Sequence, residues 1–178
     1  MKKVILISGK AGSGKDTVGS ALKENLINTG VPSEKIIITH YADLLKYIAN
    51  SYFGWNGVKD IRGRSLLQHI GTDIVRARDE KFWIDFIIRL LTVFADEWEY
   101  VIIPDARFLN EITEIQKLFP TRTIRVTRNV NSLLSEEQKN HISETELDDF
   151  DFDFHIKNDF ESIDQLSEFL KENLQKII

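Results

Sequence analysis

Short runs of β-branched and apolar residues alternate along the chain with segments whose apolar positions recur at helical spacing. The runs from Lys3 to Ser8, Lys35 to Thr39, Tyr100 to Pro104, Thr121 to Thr127 and Phe154 to Lys157 read as strands. The first and third are apolar enough to be buried on both faces, as strands of a parallel sheet are. Between them, Asp16 to Asn28 places Val18, Ala21, Leu22 and Leu26 on one helix face, and weaker helical patterns cover Asp43 to Phe53 and Ser65 to Arg78. The most regular helix lies over Lys81 to Trp98, where Trp83, Phe86, Ile87, Leu90, Leu91, Phe94 and Trp98 form a predicted core stripe. Further helices are expected at Phe108 to Phe119, with Phe119-Pro120 as its stop, at Ser132 to Lys139 and at Ser162 to Lys176. This alternation predicts an α/β fold with a mostly parallel sheet that the last helix closes.

At 178 residues, 42% hydrophobic and 29% charged, the chain has the make-up of a single globular domain spanning residues 1–178. Cysteine is absent, which excludes disulfide frameworks, thiolate zinc sites and cysteine nucleophiles and suits the reducing cytoplasm. The first apolar run, Val4 to Ile7, is too short for a signal-peptide core or a membrane span, so neither export nor membrane insertion is expected. With 23 basic and 28 acidic side chains the net charge is -5, and nothing draws the chain as a whole to nucleic acid. An anionic ligand must therefore be held by a local cluster of cations. His40, His69, His141 and His155 show no metal-ligand spacing, and none is assigned a role. The acidic stretch from Glu144 to Asp153 reads as a solvated connection anchored by Phe150 and Phe152 rather than as a metal cluster.

Directly after the first strand stands GKAGSGKDT, in which Gly9, Gly14 and Lys15 satisfy the G-x-x-x-x-G-K pattern of a phosphate loop. A loop that wraps a phosphate turns successive amides inward, which requires dihedrals that glycine tolerates and side chains small enough for backbone to reach oxygen. Gly9, Ala11, Gly12, Ser13 and Gly14 supply that smallness. The helix starting near Lys15 adds unpaired amides and the positive end of its dipole, and the Lys15 ammonium can bridge the β and γ oxygens of a bound ATP. Where the general pattern has a hydroxyl residue after the lysine to hold Mg²⁺, this chain has Asp16 followed by Thr17. Three readings stay open: Asp16 ligates the ion, Thr17 replaces the usual hydroxyl, or Asp16 only favours the helix N-terminus.

Other segments complete a pattern. YADLLK (Tyr41 to Lys46), RSLLQHIGTDIVR (Arg64 to Arg76), PDARFLNE (Pro104 to Glu111) and HISE (His141 to Glu144) follow the loop in order. With GKDT, they make the chain resemble the bacteriophage-type deoxynucleoside monophosphate kinases, a branch of the P-loop nucleotide kinases, over most of its length. The resemblance implies a three-layer fold with a five-stranded parallel sheet of order 2-3-1-4-5 flanked by helices. It also implies a monophosphate-binding region at about 41–98, a mobile lid at about 128–141, and a viral or prophage source.

The implied activity is ATP- and Mg²⁺-dependent phosphorylation of deoxynucleoside 5′-monophosphates, with small-molecule nucleotides rather than nucleic acid or membrane as partners; dimerisation stays open. Bringing the phosphoryl groups into line requires cations, for which Lys10, Lys15, Arg64, Arg76, Arg107 and Arg128 are the candidates. Lys15 should grip the donor, Arg107 the acceptor phosphate, and Arg128, assisted by Lys139, should close with the lid. Lys10 lies between donor and acceptor in this reading. Asp105 is a candidate to orient Mg²⁺ with Asp16 and Thr17, or else to fix Arg107. Asp43, Lys46 and Gln68 are candidates for the monophosphate's sugar or base, with a helix cap as the rival role for Asp43. Trp83, Tyr41 and Phe53 are either base-stacking or core aromatics. The resemblance adds Asn158 as an adenine-side residue and is the sole ground for a deoxyribose preference. Two further functions stay open: a P-loop kinase for another small phosphorylated acceptor, of the phosphomevalonate or dephospho-coenzyme A type, and a nucleotide-binding switch without acceptor.

Overall fold

A computed structural model describes residues 2–129 and 135–178, and its centre is a five-stranded parallel sheet. The strands are β1 (Lys3–Ser8), β2 (Ile36–Ile38), β3 (Tyr100–Ala106), β4 (Thr121–Thr127) and β5 (Phe154–Lys157), in the expected order β2-β3-β1-β4-β5. β1 lies at the middle, pairing Val4 with Val101 of β3 on one side and with Thr121 of β4 on the other. Successive β1 residues face opposite layers, as the pleat dictates. Ile5 and Ile7 pack with Val18, Leu22 and Leu26 of α1 (Lys15–Asn28) and with Leu166, Leu170 and Leu174 of α8 (Ile163–Ile177). Val4 and Leu6 pack with Ile84, Ile87 and Leu91 of α4 (Phe82–Val93) and with Ile112 and Ile115 of α5 (Leu109–Gln116). Helices therefore cover both faces, which is why β1 and β3 carry continuous apolar runs.

Between β2 and β3, α2 (Ala42–Phe53) and α3 (Ile61–Gln68) build a satellite core from Ala49, Trp55 and Ile70. α3 starts earlier than its apolar pattern predicts, because Asp60 caps it through Gly63 N at 2.7 Å. A Cβ at Gly63 would stand 2.1 Å from the Val58 carbonyl oxygen, so the close approach of chain to helix requires glycine there. The helix continues as a π-helix over His69–Arg76. Two short helices, α6 (Glu136–Lys139) and α7 (Ile142–Thr145), precede β5. The expected helix from Ser132 to Lys139 is thus seen only in its second half, and residues 132–134 lie outside the described residues.

One sequence expectation needs correction. The α4 helix ends at Val93, and its buried side is Trp83, Ile84, Ile87 and Leu91, while Phe86 and Phe94 are partly solvent-exposed and Leu90 is half-buried. Apolar residues run all round this helix, so spacing alone selected a stripe wider than the true contact: it includes the buried Trp83, Ile87 and Leu91 but adds Phe86 and Phe94 and passes over Ile84. Trp98 does reach the core, from extended backbone beyond the helix. We expect Ile87→Ala to cost about 2–5 kcal/mol of unfolding free energy and Phe94→Ala about 1 kcal/mol or less, read from urea titrations; equal losses would restore the predicted stripe.

Candidate active site

The loop joining β1 to α1 turns on Gly12 and Gly14, whose φ angles of 82° and 85° are in the left-handed region. A Cβ on Gly14 would also stand 2.2 Å from Asn158 Nδ2. That amide donates to the Ser13 carbonyl at 2.8 Å, and the Asn158 backbone N–H donates to Thr127 O at 2.7 Å. Asn158 thus braces the loop against the ends of β4 and β5. Ser13 Oγ is buried and has no partner among the described residues. Lys15 is buried at the start of α1. Burial, reinforced by the Arg107 guanidinium, lowers its pKa to about 8.

Lys15 and Asp16 open onto a cleft of about 190 Å³ beyond the carboxyl ends of the strands, where ligands of open α/β sheets bind. Lys46, His40 and Asp16 line the cleft, and Asp43, outside the lining, links Lys46 to His40. Asp43 Oδ1 accepts from Lys46 Nζ at 3.0 Å, and Asp43 Oδ2 accepts from the His40 backbone N–H at 2.9 Å. His40 Nε2 lies 3.0 Å from Asp16 Oδ1. This hydrogen bond raises the His40 pKa and lowers that of Asp16. His40 is a site residue that sequence spacing missed.

PDARFLNE, at the end of β3, holds the far wall together. Asp105 accepts the Tyr41 and Ala42 amides at 2.9 and 3.0 Å, fastening β3 to the first turn of α2, which has no side-chain cap of its own. Glu111 is buried; one oxygen pairs with Arg76, while the other accepts the Arg107 amide at 2.7 Å and the Phe108 amide at 3.2 Å. Arg76 also reaches Asn110 Oδ1 at 3.1 Å and lies over the Phe108 ring at 3.7 Å. Arg107 Nη1 donates to Ser143 O at 2.9 Å and pairs with the Glu144 carboxylate.

Leu67 and Gln68 at the end of α3 and Gly71, Thr72 and Arg76 of the π-helix that continues it all line the cleft. Trp83 closes the wall and donates from Nε1 to Gly71 O at 3.1 Å. Arg64 and Lys46 also line it. Tyr41 is a wall residue whose hydroxyl donates to Glu111 O at 2.8 Å, whereas Phe53 is exposed and outside the cleft lining. Of the predicted residues, the loop residues 9–14, Thr17, Asp43, Arg128 and Asn158 stand apart from the lining: Lys10 is bound to Asp148 at 2.8 Å, Arg128 is exposed after β4 and near Asp159, and Asn158 lies beneath the loop. The lid expected at 128–141 lies partly outside the described residues. Its far end rests on α3, where Gln138 Nε2 donates to Ile61 O and Ser65 Oγ, both at 3.1 Å. Besides His40, sequence reasoning missed Glu144, Asp148 and Arg125; Arg125 donates to Ser8 Oγ at 3.0 Å and Asp148 Oδ1 at 2.6 Å.

This sheet order, with a glycine-rich turn and buried lysine after its central strand, defines a P-loop kinase fold, and solved structures share it. The Mycobacterium tuberculosis APS kinase in complex with AMPPNP and APS aligns with a TM-score of 0.54 at 12% identity, covering 98% of both chains. The thymidylate kinase from Ehrlichia chaffeensis gives 0.53 at 14% identity over 98% of both chains. The shikimate kinase from Aquifex aeolicus gives 0.52 at 15%, over 97% of this chain and 96% of that one. The sequence profile of deoxynucleotide monophosphate kinase matches residues 32–170, and the chain belongs to that family, a family of phosphotransferases. The match begins beyond the phosphate loop, so the loop is a separate observation in its favour. A comparison with curated protein sequences found no match. No helix among the described residues is long and apolar enough to cross a membrane.

The depressed Lys15 pKa has a measurable consequence. Above about pH 8 the empty site holds a partly neutral amine, and phosphate oxygens beside it favour the ammonium form. Binding of magnesium-ATP should take up protons at about pH 8.5, and affinity should fall as pH rises through about 8. Calorimetry in two buffers of different ionisation enthalpy measures the uptake; none at that pH would remove Lys15 from phosphate contact.

Proposed function

We propose that the protein transfers the γ-phosphoryl group of ATP to deoxynucleoside 5′-monophosphates, forming the diphosphates. The observation that carries this reading is one cleft lined by both the phosphate-loop lysine, Lys15, and Arg107. An acceptor phosphate, with a second pKa near 6, is already an anionic nucleophile at neutral pH, so the reaction needs alignment and charge neutralisation more than a base. Lys15 and the loop amides bind the donor. Arg107 takes the acceptor phosphate, where a planar guanidinium can grip two oxygens. Lys46, Arg64 and Gln68 face the remainder of the monophosphate, with Asp43 holding Lys46 and Arg76 supporting the wall. Lys10 and the lid residue Arg128 join as the site closes.

Asp16 and Thr17, in the first turn of α1, offer the hard oxygen donors that Mg²⁺ prefers. Among the described residues no three His, Cys, Asp or Glu side chains converge into a metal cage, and an ion bound mainly by phosphate oxygens and water requires none. When bound, Mg²⁺ neutralises charge on the β and γ phosphates. Asp105, whose two oxygens each accept a backbone amide, orients the loop that carries His40 rather than serving as a free ligand. The deoxynucleotide acceptor rests on family membership together with this cleft.

ADP formation should be measured with each common deoxynucleoside and ribonucleoside monophosphate, and with mevalonate phosphate and dephospho-coenzyme A. The deoxynucleotides should be turned over fastest; acceptor-independent turnover, or preference for a non-nucleotide, would replace the proposal. Lys15→Ala should lower kcat by about 10³-fold. Arg107→Ala should raise the KM for monophosphate at least tenfold, with a smaller effect on that for ATP, and unchanged acceptor kinetics would remove Arg107 from the site.

A further inference from the structure

Glu144 has almost no solvent exposure, and its two oxygens point in different directions. One accepts the Ala11 amide of the phosphate loop at 3.1 Å; the other pairs with Arg107. The carboxylate therefore spans from the donor loop to the acceptor arginine, the path a transferred phosphoryl group would follow. A second acid of the same segment repeats the pattern, because Asp148 holds Lys10 Nζ at 2.8 Å and Arg125 Nη2 at 2.6 Å. Between them, Leu147 is buried against the β3 side of the sheet, so the two contacts belong to an anchored segment.

We propose that Glu144 is an internal stand-in for phosphate, a latch whose carboxylate occupies the donor-acceptor gap in the empty enzyme and must withdraw before both substrates engage. The inference rests on the phosphoryl-transfer reading above and adds a residue and a step to it. A buried carboxylate is tolerated only when paired, and here its partners are groups that the proposed reaction needs. A carboxylate and a phosphate oxygen cannot share the Ala11 amide without like-charge repulsion at close range. In the empty protein, the same contact fixes the Arg107 guanidinium at the cleft and offsets the charge that Arg107 places near Lys15. Latch opening and nucleotide binding are therefore linked: a latch closed about nine times in ten weakens apparent ATP affinity about tenfold.

Calorimetric titration of the full-length protein with magnesium-ATP tests this. Glu144→Gln, which preserves shape and removes the charge, should bind about tenfold more tightly than the wild type. Asp149→Asn, which removes an exposed acid of the same stretch, should stay within about twofold. A tighter-binding variant cannot be explained by damaged folding. Unchanged or weaker binding by Glu144→Gln overturns the latch, as does equal tightening by Asp149→Asn, which would indicate bulk charge. Should Glu144→Gln fail to fold, hydrogen exchange on the wild type decides: magnesium-ATP should speed exchange of amides 142–149, and slower or unchanged exchange overturns the proposal. Absence of ATP binding by every variant and the wild type overturns both this latch and the phosphate-loop reading, whereas binding that Glu144→Gln fails to tighten overturns the latch alone.

Discussion

A buried ammonium at the mouth of the central strand is the constraint from which the rest of the site follows. Lys15 leaves water to reach a loop of inward amides, and burial works against its charge. The protein accepts that cost because phosphate binding needs a positive field where water cannot dilute it. The loop around Lys15 must then hold its shape without ligand, and it does so through one local and one long-range device: left-handed glycines, and the hydrogen bond from the Asn158 side chain to the Ser13 carbonyl. Both depend on β1 being central, since only there do neighbours on each side, β3 and β4, bring their loops to the same place.

Concentrating cations in a protein of net charge -5 raises a second demand. Each positive group must be aimed without collapsing onto a neighbour or drifting into solvent. Arg76 is aimed by Glu111, Arg107 by Glu144 and the Ser143 carbonyl, and Lys46 by Asp43. The acids of PDARFLNE serve as a frame: Asp105 sets the start of α2, and Glu111 joins the Arg107 backbone to the Arg76 side chain. A site of this kind is preorganised, so less reorganisation is left for the moment when phosphates arrive.

The layers were legible because strands buried on both faces, as β1 and β3 are, have little alternative to a parallel sheet, and β1, β4 and β5 begin and end where their apolar or β-branched runs do. The phosphate loop was legible because its spacing is imposed by the ligand. Other features depend on contacts that no local pattern records. Phe86 and Phe94 satisfy helical spacing, yet the sheet meets the Ile84-Ile87-Leu91 side. His40 shows no motif of its own; its meaning comes from Asp16, brought to it across the β1 and β2 ends. Glu144 and Asp148 sit in an acidic run, which on composition is a solvated face, and only tertiary structure buries Glu144 and sets the still exposed Asp148 against Lys10 and Arg125. Arg125 is hidden by the alternation of β4, where an inward cation resembles the outward one at Arg122.

The acids of the site are not passive counterweights. A carboxylate that aims an arginine from within the cleft wall, as Glu111 does for Arg76, limits the arginine's motion without standing on the phosphate loop. One placed between the phosphate loop and Arg107, as Glu144 is, would compete with a bound anion for the same N–H groups. The same ion-pair chemistry therefore has opposite consequences according to geometry, and the two kinds meet on one residue: Glu111 accepts the Arg107 backbone N–H, and Glu144 pairs with its guanidinium. The first arrangement survives substrate arrival. The second must be exchanged for phosphate, which ties occupancy of the cleft to movement of the segment leading into β5.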